Sequence, residues 1–119
     1  MQVLFGDVFM DWVIKQYGDI LIITLNGNLD AVSVPPVEAF LESKLQEGKN
    51  KVILNLRHVV YMSSSGVRLI FSIAKLLQSC QGMLCLCCAQ DGVAEVLKIA
   101  GVDQLLPVCQ SEQECFSRF

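Results

Sequence analysis

The chain alternates short, almost continuously apolar runs with longer segments whose apolar residues recur at helical spacing. The clearest run, residues 51–56, reads Val-Ile-Leu-Asn-Leu after its lysine. Such a run is typical of a strand that is covered on both faces, and runs joined by helices indicate a mostly parallel sheet. The sequence therefore predicts an α/β fold with residues 51–56 near the centre of the sheet.

The other predicted elements follow from turn and cap signals. Strands at residues 13–16 and 20–26 form an N-terminal hairpin, because Tyr17-Gly18-Asp19 between them has turn chemistry. Residues 27–30 are predicted to be a loop. The remaining predictions are helices at 37–47, 65–79, 92–100 and from 111, and strands at 83–88 and near 105–108. Together they describe a mixed, mostly parallel sheet of four to five strands flanked by about four helices.

A length of 119 residues and a hydrophobic content of 53% suit one compact core. We assign residues 12–119 to this domain and residues 1–11 to an N-terminal extension or an extra strand. Met10 could itself be an initiator. Three interpretations of residues 1–9 remain open. They could be an extra strand, a contact between two copies in a homodimer, or a remnant that does not belong to the domain.

Composition excludes several classes of protein. The apolar runs are far shorter than the roughly 20 residues that cross a bilayer, so no membrane insertion is expected. The N-terminus lacks the basic region of a secretory signal, which favours a cytoplasmic location. Nine Lys and Arg against twelve Asp and Glu, scattered singly, disfavour nucleic-acid binding.

Six cysteines in a chain with ample core are expected to be reduced and mostly buried thiols. Cys85 and Cys88 have the spacing of redox and zinc sites, but an extended strand directs them to opposite faces. Cys109 and Cys115 do not have the spacing of a second zinc knuckle. We therefore expect no metal and no redox role.

The most informative segment is Met62-Ser63-Ser64-Ser65-Gly66, between a buried strand and a long helix. Free N–H groups and the helix dipole favour an anion at such a position. A phosphoserine there would add about -1.5 to -2 charges, enough to repel an acidic partner. The alternative is that one of these serines is simply the helix N-cap.

This segment resembles the STAS domain of bacterial anti-sigma-factor antagonists, whose pattern is approximately aromatic-Met-Asp-Ser-Ser/Thr-Gly-Leu. In that family the serine after the Asp is phosphorylated by a partner anti-sigma factor with serine-kinase activity. The resemblance implies that Ser64 is the phosphorylation site, with Ser65 and Ser63 as alternatives. Ser63 stands where the family usually has Asp.

The resemblance covers roughly residues 12–117. Gly27-Asn28-Leu29-Asp30 is similar to the family's Gly-Glu-Leu/Ile-Asp, and residues 93–105 match its late helix and turn. The family places the first of these loops beside the phosphorylation site and the kinase contact. The resemblance thus implies partner-binding roles for Asn28, Asp30, Ser65 and Gly66.

The helix after the serines has one narrow polar face and an apolar surface of about 200°. Arg68 and Lys75 lie on the polar face, and Leu69, Leu76 or Phe71 is expected at an exposed edge that binds a partner. Coverage of these apolar residues by neighbouring elements is the open alternative.

Three functions are therefore considered, none of them enzymatic and none needing a cofactor. The first is an antagonist that binds an anti-sigma serine kinase when dephosphorylated and is reset by a serine phosphatase, with ATP belonging to the kinase. The second is a constitutive STAS scaffold in a stress-signalling assembly or a subunit of a lipid or anion transport system. The third is a ligand or nucleotide sensor that uses the loop around Asp30. Catalysis has little support, since His58 is the only histidine and no Gly-x-Ser-x-Gly elbow occurs.

Overall fold

The computed structural model describes residues 2–5 and 8–119, with side chains from Met10 onward. Residues 1, 6 and 7 of the expected N-terminal extension lie outside the described residues. The strands are β1 (Gln2–Phe5), β2 (Val8–Tyr17), β3 (Ile20–Leu29), β4 (Lys51–Met62), β5 (Met83–Cys87) and β6 (Val108–Cys109). The helices are α1 (Val34–Gln46), α2 (Ser64–Ser79), α3 (Asp91–Ile99) and α4 (Glu112–Phe116).

The strands form one sheet in the order β1-β2-β3-β4-β5-β6. Pairing is antiparallel from β1 to β3 and parallel from β3 to β6. The predicted α/β class is confirmed, with its mostly parallel sheet, its flanking helices and its hairpin formed by β2 and β3. The sheet has five strands without β1 and six with it.

Strand β4 is central, as the sequence predicts. Residues 52–56 are all buried, because parallel neighbours flank β4 on both sides and helices cover both faces. The strand also continues past the predicted end at residue 56 to Met62. Pairing with β3 shifts register after Thr24 and then resumes, with His58 opposite Asn26 and Met62 opposite Leu29.

The prediction of a loop at residues 27–30 was wrong for Gly27, Asn28 and Leu29, which belong to β3. Two register shifts interrupt the β3–β4 pairing here, and Gly27 has a φ of 129° that favours glycine. The extra backbone freedom lets the strand bend and keep pairing with β4. Only Asp30 lies in the connection that follows.

Some element ends differ from the sequence prediction by a few residues. Helix α1 begins at Val34 and not at residue 37, because Pro35 in the first turn needs no N–H partner. Strand β6 begins at Val108 and not near residue 105. A short 3₁₀ helix, Val102–Gln104, continues into Leu105, whose N–H donates to the Val102 carbonyl.

The sheet has a separate apolar core on each face. Helices α1, α2 and α3 cover the larger core, which contains Leu54, Ile70 and Leu97. Helix α4 covers the smaller core, which contains Ile22, Ile53 and four buried cysteines: Cys85, Cys87, Cys109 and Cys115. None of the described helices has the length and apolar character needed to cross a membrane.

All six cysteines are free thiols, as predicted, and Cys80 is the exposed one. A hydrogen bond with Cys115, together with burial, raises the pKa of the Cys87 thiol. A hydrogen bond with Cys85 likewise raises the pKa of Cys115. Both shifts favour the neutral thiol, so Cys87 and Cys115 behave as small apolar side chains in the absence of a metal ion.

One carboxylate fastens α4 to the sheet. Glu112 accepts a hydrogen bond from Asn55 Nδ2 at 2.7 Å and forms an ion pair with Lys15 Nζ at 3.1 Å. Burial by itself would raise the pKa of Glu112, but the bonds from Asn55 and Lys15 outweigh it and hold the pKa below its ordinary value. The ionised carboxylate therefore stabilises the attachment of α4.

We expect Glu112→Gln to lower the free energy of unfolding at pH 7 by about 1 kcal/mol, because the ion pair and a charge-assisted hydrogen bond are lost. A carboxyl whose pKa is lower in the folded than in the unfolded chain stabilises the folded state at pH values above its unfolded pKa of about 4.3. This stabilisation disappears as the pH falls through the folded-state pKa. Urea unfolding of parent and variant should therefore differ at pH 7 and converge at about pH 3.

The matched control is Glu95→Gln on the exposed surface of α3. It should change stability little at either pH. A Glu112→Gln difference that persists undiminished at low pH would contradict the role of the ionised carboxylate.

Candidate functional site

The serine turn, Ser63 to Ser65, joins the end of β4 to the start of α2. Ser63 is extended, with φ −89° and ψ 178°, and its hydroxyl oxygen accepts a hydrogen bond from the Ser65 N–H at 3.2 Å. Ser63 is therefore the N-cap of α2. The alternative considered from sequence, that one serine caps the helix, is correct for Ser63.

Ser64 is the first residue of α2, and its side chain is exposed. Among the described residues, the Ser64 hydroxyl forms no hydrogen bond. Ser65 is half-buried and uses its backbone N–H on the cap. The Ser63 hydroxyl is thus used in capping the helix, whereas the Ser64 hydroxyl is accessible.

The end of β3 is bonded directly to this turn. The Ser63 N–H donates to the Leu29 carbonyl at 2.9 Å. Gly66 is buried against the same residue, since a Cβ placed on it would lie 3.0 Å from the Leu29 oxygen and 2.8 Å from Met62 Cγ. Glycine is required at position 66 by this close approach.

Asp30 shapes the connection between β3 and α1. Its Oδ1 accepts hydrogen bonds from the N–H groups of Val32 and Ser33, at 3.0 and 3.1 Å. The Ser33 hydroxyl in turn donates to the Asn28 carbonyl at 2.5 Å, while the Asn28 side chain is exposed. The Asp30 carboxylate therefore stabilises this turn. Asp30 directly follows Leu29, whose carbonyl accepts the hydrogen bond from Ser63.

Two shallow grooves lie on either side of the start of α2. One, of about 250 Å³, is lined by α1 and by Ser65, Arg68 and Leu69. The other, of about 320 Å³, lies between α2 and α3 and is lined by Ser64, Val67, Val96, Ile99 and Ala100. Ser64 is thus at the rim of an apolar groove, in which Ile99 is 79% exposed.

The structure brings only some of the predicted α2 residues to this site. Arg68 is exposed one turn after Ser64. Lys75 is also exposed, but eleven residues of helix place it about 16 Å farther along the axis. It is therefore remote from the serine turn.

Of the three residues considered for an exposed apolar edge, Leu69 is not at the surface, and the alternative that neighbouring elements cover it is correct. Leu69 is only 2% exposed, because it packs in the core between the sheet and the neighbouring helix. The exposed apolar residue of this helix is Leu76, at 40%. Phe71 is half-buried.

Sequence reasoning missed the apolar groove between α2 and α3. The sequence of α3 contained a signal for this groove. Val93 and Leu97 form the buried stripe of the helix, and Ile99 lies outside it, about 120° around the helix from Val93. A large apolar side chain outside the buried stripe indicates a surface available for contact.

No nucleophile–base pair is formed at the turn. His58 is exposed on β4, and within the described residues it makes no hydrogen bond to any serine of the turn. A general base must come within hydrogen-bonding reach of its nucleophile. The local chemistry is that of an accessible hydroxyl at a helix N-terminus.

Comparison with known proteins gives a consistent result. The family model described as STAS domain matches residues 11–115. A relative named as an anti-sigma factor antagonist, BtrV of Bordetella bronchiseptica, is 33% identical over 99 residues, covering 83% of this chain and 85% of the relative.

Solved structures show the same fold. A protein of Thermotoga maritima named as an anti-sigma factor antagonist has a TM-score of 0.86 at 22% identity, over 90% of this chain and 92% of that one. SpoIIAA, the Bacillus cell fate determinant solved in its phosphorylated form, has a TM-score of 0.70 at 22% identity, over 91% and 98%.

We expect Ser63→Ala to lower the free energy of unfolding by about 1 kcal/mol, because the Ser65 N–H loses its acceptor at the helix start. Ser64→Ala should change stability by less than about 0.5 kcal/mol, since its exposed hydroxyl has no partner to lose. Urea unfolding of both variants checks the difference. Equal losses would contradict the division between cap and free hydroxyl.

Gly66→Ala is expected to destabilise by about 1 to 3 kcal/mol, because the new methyl group meets Leu29 and Met62. Gly92→Ala is the matched control in the first turn of α3, where an added Cβ meets nothing within 4 Å. That variant should gain about 0.5 kcal/mol, since glycine is a poor helix former. Thermal unfolding should therefore move the two melting temperatures in opposite directions.

Proposed function

The chain belongs to the STAS domain family, and on that premise we propose that it is an anti-sigma-factor antagonist controlled by phosphorylation of Ser64. Dephosphorylated, it binds an anti-sigma factor with serine-kinase activity in the cytoplasm and so frees a sigma factor. The kinase supplies ATP and phosphorylates Ser64, which releases the complex. A serine phosphatase resets the switch, and the chain itself performs no catalysis.

The observation that carries this proposal is the free, exposed hydroxyl of Ser64 beside a serine that already caps the helix. A kinase can modify Ser64 without removing the cap that holds α2. The phosphorylated form of SpoIIAA, which shares this fold, supports modification within it. Ser65 and Ser63 are less suited, because one is half-buried and the other is the cap.

The surroundings of Ser64 suit a phosphate. The first N–H groups of α2 and the positive end of its dipole stabilise an anion there. Arg68, one turn farther on, is exposed and has a charge that can pair with phosphate oxygens. Phosphorylation would thus add charge at this site without unfolding the helix.

The apolar groove of Val67, Val96 and Ile99 explains how one phosphate would release a partner. A partner side chain that fills this groove must desolvate its rim, where Ser64 lies. A phosphate of about -1.5 to -2 charges at that rim opposes desolvation. The same groove would bind the partner when Ser64 carries only its hydroxyl.

The test pairs phosphosite mapping with a binding measurement. After incubation with ATP and the anti-sigma kinase of the same genome, mass spectrometry should place phosphate on Ser64 in the parent, and none should appear in Ser64→Ala. By calorimetry, Ser64→Asp should weaken binding of the anti-sigma factor by about tenfold or more, because a charge is placed at the interface.

Ser43→Asp is the matched control, since it adds the same charge at an exposed serine of α1 away from the turn. Its affinity should equal that of the parent. Phosphate on Ser65 or Ser63 alone would reject Ser64 as the site. Unchanged binding by Ser64→Asp would reject the switch and leave a constitutive scaffold.

A further inference from the structure

Three cysteine side chains converge on the sheet face that α4 covers, opposite to the face that bears α2. Cys85 lies on β5, Cys109 on the neighbouring strand β6, and Cys115 on α4. All three are buried. The pairing of β5 with β6 brings Cys85 close to Cys109, and Cys115 joins them because α4 folds back over this face of the sheet.

The sulfur atoms are close enough to share one ion. Cys85 Sγ is 3.7 Å from Cys109 Sγ and 2.6 Å from Cys115 Sγ, and all three atoms lie within 4.8 Å of one another. Two sulfurs bound at about 2.3 Å to one metal lie about 3.8 to 4.0 Å apart in tetrahedral or trigonal geometry. The Cys85–Cys109 pair already has this spacing, and Cys115 Sγ would have to move about 1.2 Å away from Cys85 Sγ to reach it.

The donor set selects the class of ion. The cluster offers only sulfur, and its neighbours Ile20, Ile22, Ile53 and Phe116 are apolar. Thiolates favour Zn(II) and Cu(I), whereas Mg²⁺, Ca²⁺ and Mn²⁺ require oxygen ligands. A dry apolar site would also exclude ions that keep their bound water.

A fourth sulfur is available nearby. Cys87 lies two residues after Cys85, so both side chains point to the same face of β5, and Cys87 is opposite Cys109 in the pairing register. Structural zinc takes four ligands, so zinc binding would require Cys87 in addition to the three converging thiols.

We propose that Cys85, Cys109 and Cys115 bind one thiophilic d¹⁰ metal ion as thiolates, either Cu(I) with these three sulfurs or Zn(II) with Cys87 as the fourth ligand. Binding displaces the thiol protons and ties α4 to β5 and β6. The site is independent of the serine turn, because it lies in the other core of the molecule.

The experiment uses the full chain, stripped with a chelator and kept reduced under anaerobic conditions. One equivalent of Zn(II) or Cu(I) is added, the protein is desalted, and bound metal is measured by mass spectrometry. We expect one ion per chain in the parent, with a higher melting temperature. Cys115→Val and Cys109→Val should each lose the bound ion and the rise in melting temperature. Valine is chosen because it keeps the core filled, and the second variant tests the site if the first folds poorly.

Two further variants sharpen the result. Cys80→Ser removes the exposed thiol at the end of α2 and should still bind one ion. Cys87→Val should lose Zn(II), which needs a fourth ligand, and should retain Cu(I), which three sulfurs hold.

The proposal is wrong if the parent retains neither ion, if Cys115→Val and Cys109→Val retain it fully, or if Cys80→Ser abolishes binding. It is also wrong if the chain purified without reductant has two fewer free thiols than the six cysteines of the sequence, because two of them would then form a disulfide.

Discussion

The parallel pairing of β3 with β4 is the interaction on which the site depends. It survives two register shifts and ends with Leu29 opposite Met62. One residue farther along, the Ser63 N–H donates to the Leu29 carbonyl, so the two strands leave the sheet bonded to each other. This brings the acidic turn at Asp30 and the serine turn together. Gly66 makes the approach possible, because no side chain fits between α2 and Leu29.

The serines of the turn have different physical roles. The family pattern that this turn resembles has Asp at the position of Ser63, and both residue types are strong N-caps. The replacement therefore preserves the hydrogen bond that starts α2 while removing one negative charge beside Ser64. On our proposal a phosphate at Ser64 would meet less repulsion from its own turn than it would beside an Asp, and the exposed Arg68 one turn along α2 could pair with it.

The two faces of the sheet have separate functions in our proposals. Helices α1 to α3 cover the larger core, and α2 and α3 leave an apolar groove beside Ser64. On the other face, α4 is a helix of only five residues and cannot be stable by itself. It is held by the Glu112 hydrogen bonds and by the small core that Cys115 enters. A metal ion among those sulfurs would strengthen this attachment without touching the partner surface.

The sequence by itself determined the central strand, the hairpin, the helix after the serines and the location of the turn, because these depend on local apolar patterns, turn residues and caps. It did not predict that Gly27–Leu29 would pair as strand or that Ile99 would line a groove next to Ser64, and it left open whether Leu69 would be covered. It also set aside Cys109 and Cys115 as partners of Cys85 and Cys88, since their spacing is not that of a second zinc knuckle. Only the tertiary structure decided these features, because each one arises from contacts between segments that are distant in the chain.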